Sequence, residues 1–168
     1  MAASNGDGRL ATLGSAAGRG ALAGLAGVTV MTLGEKVEQA LTHRPNSYVP
    51  ARALLTLLGQ HPRDTERPPL WNYAMHVGTA VAVGTLRGVW AAVGMRGVRA
   101  SLAHAVFRLA FDQTVENTTG VGAPPHTWPV SEQAVDVLHK TIYALATGVV
   151  ADRLISPQLQ SDRGVHSH

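Results

Sequence analysis

Four ionisable residues, spaced four apart inside an apolar run, constrain this chain more than any other feature. His104, Arg108, Asp112 and Glu116 recur through SLAHAVFRLAFDQTVE (101–116), whose other residues are mostly Leu, Ala, Val and Phe. In an α-helix each four-residue step turns the side chain by about 40°, so the four form one slanting stripe roughly 18 Å long. A polar stripe on an apolar helix needs polar partners on neighbouring helices. Spacing of four makes Arg108 and Asp112 an ion pair on adjacent turns.

Composition agrees with an apolar setting. Hydrophobic residues make up 45% of the 168 and charged residues 15%, against about a quarter charged in soluble domains. Mean hydropathy is only +0.06, because polar ends and one long polar connection dilute the apolar runs. The absence of cysteine excludes a disulfide framework and thiolate metal sites. The sequence pI is 9.8, yet the arginines sit at the ends of apolar runs instead of forming a basic patch. Nucleic-acid binding is not expected; charge flanking membrane helices explains the pI.

Four apolar segments of helical period follow one another, at about 20–41, 70–93, 98–117 and 131–154. They predict an all-α fold: an integral membrane bundle of four antiparallel transmembrane helices over residues 19–155. Residues 1–18 and 156–168 read as flexible tails, the second carrying His166 and His168 as solvated side chains. Pro50 and the leucines after it predict a short surface helix within the polar first connection, 43–69. Pro68 and Pro69 open the second long helix, Gly120 stops the third, and Ser131 is expected to cap the fourth with Glu132 in its first turn. Gly20 and Gly24, and again Gly84 and Gly88, form small-xxx-small faces suited to close packing in lipid, or to a homo-oligomer.

Antiparallel connection brings the acids and histidines to one height. If the side bearing 43–69 and 118–130 is the outer side, helix one ends there with Glu35 and Glu38, and helix two begins there with His76. Helix three ends there with Asp112 and Glu116, and helix four begins with Glu132, Asp136 and His139. With His104, these nine residues define a candidate polar cluster. Asp136-x-x-His139 also has the spacing of metal ligands in helical bundles, though only one copy exists. No cofactor is predicted. Arg9, Arg19, Arg96, Arg99, Arg153 and Arg163 lie on the opposite side, against Arg44, Arg52, Arg63 and Arg67 on the outer one. That bias places both termini in the cytoplasm, with the bundle in an inner or plasma membrane and the lipid bilayer as its partner.

The order of features resembles small bacterial inner-membrane proteins of the YagU type, a family of uncharacterised domains. The resemblance is carried by His76 and its glycine-containing helix, the glycine turn before helix three, Gly122-Ala-Pro-Pro125, Trp128-Pro129, Glu132 and His139, over residues 20 to 154. It implies a multi-span membrane protein concerned with acid or proton handling, and supplies no catalytic residues. The residues themselves point to a cluster that binds or passes a proton, cation or small polar solute. Two alternatives stand beside it: a membrane-embedded metal-dependent or acid/base enzyme, and a soluble four-helix domain.

Overall fold

A computed structural model describes residues 2–159, with side chains from Asp7 onward. The order is α1 (Ala2–Thr42), α2 (Val49–Leu57), α3 (Pro69–Ala92), α4 (Gly97–Thr118), a 3-10 turn (Pro125–Thr127) and α5 (Val130–Leu154), with no strand among the described residues. The chain is all-α. Helices α1, α3, α4 and α5 run up and down in turn, and α2 lies across α3 and α4 in the first connection.

Local chemistry sets most boundaries. Pro69 occupies the start of α3, where its missing N–H costs no helical bond. Gly120 takes a left-handed φ of 70° just after α4, a conformation that stops the helix cheaply only in glycine. Two ends differ from expectation. Ser131 does not cap α5; the helix already starts at Val130 behind Pro129, and the Glu132 and Gln133 amides bond the Pro129 carbonyl. Residues 2–18, within the 1–18 expected as tail, are helical and part of α1. Ala16 explains the extension, since it continues the small face of Gly20 and Gly24 by one step and is buried against α3. At the other end Leu159 returns to the bundle, its amide bonding the Ala92 carbonyl at 2.9 Å. Arg163, His166 and His168 lie outside the described residues.

Glycines bring the helices into backbone contact. A methyl group at Gly84 would lie 2.6 Å from the Gly20 carbonyl oxygen, and one at Gly20 would lie 2.7 Å from Gly88 Cα. The two small-xxx-small faces therefore pack against each other within the chain, α1 on α3. Gly27 does the same for α1 on α5, and Gly148 for α5 on Ser101 of α4. Between α3 and α4 bulk replaces closeness: Trp90 meets His104 edge-on at 5.9 Å and Phe107 at 6.5 Å.

The resulting core is mostly alanine, which buries little apolar area per residue. What else is inside is polar. Arg87, His104, Arg108, Asp112, His139, Thr79, Ser101 and Thr147 are all buried, while Leu102, Val106, Phe107 and Phe111 of the same α4 face outward. Arg108 is 3% exposed and Val106, two residues earlier, 67%. Helix α4 thus wears its polar stripe inward and its apolar side outward, the reverse of a soluble amphipathic helix. Two helices, over Asp7–Thr42 and Val130–Leu154, are long and apolar enough to cross a membrane.

Candidate functional site

The end of the bundle nearest the two long connections holds a cavity of about 360 Å³. Seven of the nine residues picked out by helical height line it: Glu35 from α1, His76 from α3, Asp112 and Glu116 from α4, and Glu132, Asp136 and His139 from α5. They come from four helices and span a hundred residues of sequence. Arg44, Ser47 and Pro50 of the first connection and Gly122, Ala123 and Trp128 of the second close it over. The second connection is pinned in place, with Gly122 N–H bonding the Glu116 carbonyl at 3.0 Å and Trp128 Nε1 bonding the Ala123 carbonyl at 2.8 Å.

Glu38 and His104 are not at the cavity wall. Glu38 lies one turn beyond Glu35 and receives Arg44, Nε at 3.2 Å and Nη2 at 2.9 Å. That carboxylate holds the Arg44 guanidinium above its ordinary pKa. His104 lies below the floor, fully buried, its Nε2 3.1 Å from the Val83 carbonyl and its ring 5.6 Å from that of Tyr143. It packs α4 onto α3 and α5 and belongs to the core.

The stripe's ion pair forms as its spacing requires: Arg108 Nε donates to Asp112 Oδ2 at 2.9 Å, with side chains 3% and 11% exposed. Tyr143 supports the guanidinium from below, with Arg108 Cζ 4.9 Å from the ring centre, and Tyr143 Oη bonds the Ala80 carbonyl at 2.7 Å. Sequence reasoning missed Lys140. Its ammonium pairs with Asp136 and also stands 3.5 Å from Asp112, so Asp112 serves two cations. The i, i+4 spacing from Asp136 and the rarity of lysine in this chain were the available signals. Arg44 was missed as a cavity residue too, because it was read only as loop charge.

Commitments of charge decide what the site can do. Arg108 is engaged by Asp112, Lys140 by Asp136, and Arg44 by Glu38. Glu132 has only a distant approach from Arg44, at 3.9 Å, and Glu35 accepts a neutral bond from Gln39 at 3.0 Å. Glu116 is engaged by neither Arg108 nor Lys140. The cavity thus has two carboxylates without a paired base, Glu35 and Glu116, and a third, Glu132, that is held only loosely by Arg44. Two buried wall residues keep unpartnered atoms, Nη1 of Arg108 and Nε2 of His139. At the candidate metal pair Asp136 and His139, the carboxylate is already paired with Lys140. No group of three or more ligating side chains converges among the described residues.

A second polar centre lies at the opposite end. Arg87, completely buried, donates Nη2 to Asp152 Oδ1 at 2.8 Å and Nη1 to the Met95 carbonyl at 3.3 Å. Oδ2 of the same aspartate accepts the Gly97 amide at 2.8 Å, capping the start of α4 from another helix. Arg96 ties the end of α5 to this turn through the Asp152 and Ile155 carbonyls. The chain matches no family model, no curated protein and no solved structure.

Proposed function

We propose that the chain is a four-span membrane protein whose outer cavity binds a small polar or cationic solute. The observation that carries it is inverted polarity: charge packed inside α3, α4 and α5, with Leu, Val and Phe outside. In water such a surface would be an aggregation hazard, whereas in lipid it is the natural exterior and buried charges face partners or a cavity. Helices α3 and α4 have 24 and 22 residues, enough for a hydrocarbon layer of about 30 Å. Trp71 and Tyr73, exposed at the outer start of α3, suit a headgroup belt. The surplus of arginine at the Arg87–Asp152 end makes that end cytoplasmic. Beneath the cavity Tyr143, His104 and Thr147 are fully buried, so the site is a blind pocket, which favours binding over open conduction.

The chain has no cysteine, so single introduced cysteines report accessibility directly. In intact membranes Glu116→Cys and Glu66→Cys are expected to react with a water-soluble thiol reagent, and Leu102→Cys and Val106→Cys to stay unreacted. Labelling of Val106→Cys as fast as Glu66→Cys, or release of the protein by an alkaline carbonate wash, would refute the membrane assignment.

A further inference from the structure

We infer that the solute is a small organic ammonium ion that also carries a neutral oxygen, an amino alcohol in chemical class; this rests on the solute-pocket reading above. Arg44, Arg108 and Lys140 each already hold a carboxylate, while Glu35 and Glu116 have no paired cation and Glu132 has only Arg44 at 3.9 Å. Carboxylates in excess of the closely paired bases around one cavity favour a cation. His139 is 9% exposed and its Nε2 lacks a partner, which provides an acceptor for an ammonium N–H on the α5 side of the same cavity.

Two features make the cation organic. The wall also carries Met31, Met75, Val135 and Trp128, which suit a short carbon skeleton. A volume near 360 Å³ falls in the range of small-molecule pockets, about 300–1,000 Å³, and is far larger than a bare ion needs. Arg108 adds the oxygen. Its Nη1 is a buried donor without an acceptor, an arrangement that favours a ligand bringing one. That oxygen is neutral, because Asp112 already occupies the guanidinium's Nε edge and would repel a second anion.

Isothermal titration of purified full-length protein in detergent tests this with 2-aminoethanol and 3-aminopropan-1-ol as probes. Both are expected to bind, with ethylene glycol, acetate and sodium chloride silent. Glu116→Gln should weaken binding at least tenfold and Glu35→Gln severalfold, each variant checked for helicity and a monodisperse elution. Asp7→Asn, on the exposed start of α1, should bind as the parent does. Glycerophosphoethanolamine, the same ammonium on a phosphodiester, separates a lipid headgroup from a free amino alcohol and should bind more weakly. Equal or tighter binding of that compound or of β-alanine would overturn the neutral-oxygen assignment. Heat from sodium alone, or no heat from either amine, would overturn the organic cation. Amine binding by a protein that carbonate releases would keep this inference and discard the membrane.

Discussion

The two polar centres of this bundle are built from the same residue types and differ in what they leave over. At the end that carries the α3–α4 turn, Asp152 spends both oxygens on protein, one on Arg87 and one on the Gly97 amide, and Arg96 fastens the neighbouring carbonyls. What is left over is the buried Nε of Arg87, and neither Arg87 nor Asp152 lines the 360 Å³ cavity. At the outer end Arg44, Arg108 and Lys140 are likewise paired, yet Glu35, Glu116 and the loosely held Glu132 remain beside a cavity. A buried ion pair is weak evidence of stability, but breaking one by removing a single partner is costly. The first centre is therefore a lock on the α3–α4 turn and α5, and the second is a lock with a cavity beside it.

The largest effect expected is at the inner lock. Asp152→Leu leaves Arg87, with no exposure at all, without a counter-ion and removes the cap of α4. Stranding a buried charge costs about 3–5 kcal/mol, so folded yield in detergent should collapse. Arg87→Leu combined with Asp152→Leu should regain much of it, short of the cap's share of about 1 kcal/mol. Additive losses in size-exclusion and thermal melting would show that the pair is not coupled.

A middle effect is expected at the stripe, where the two partners are unequal. Asp112→Leu strands Arg108, which is 3% exposed, and deprives Lys140 of its second carboxylate; about 3 kcal/mol is expected. Arg108→Leu leaves Asp112 still 3.5 Å from Lys140, so about 1–2 kcal/mol is expected. Equal losses for the two would mean that Lys140 does not support Asp112.

How much of this was legible in sequence follows from how local each cause is. The stripe, the four long helices and the convergence of seven side chains on one cavity follow from helical period and antiparallel order, and Pro and Gly mark the ends. The inner lock was not legible, because Arg87 and Asp152 are 65 residues apart and each looks like a lone charge near the end of an apolar run. Lys140 was obscured for a geometric reason. It follows His139 and so starts about 100° around the helix, and only its long flexible stem brings the ammonium back to Asp136 and Asp112. Residues 7–18 carry tail-like composition, and only the packing of Ala16 on α3 accounts for their helix. His104 fits the stripe's period but lies one turn too deep, where the tight approach of α1, α3 and α5 leaves no cavity.

The smallest stability effect should come from the residue most important for binding. Glu116 lines the cavity beside Asp112 and Asp136 and holds no base. Replacing it with glutamine keeps its shape and removes one of several like charges. Relief of that repulsion is expected to leave melting unchanged or to raise it by about 0.5–1 kcal/mol. The same change at the inner end, Asp152→Asn, removes the charge that balances Arg87 and should lower stability measurably. If Glu116→Gln destabilises the protein as Asp152→Asn does, Glu116 is a structural acid with an undetected partner, and the contrast between the two centres fails. If it is neutral or stabilising while amine binding is lost, a carboxylate that the fold does not need has been kept for a ligand.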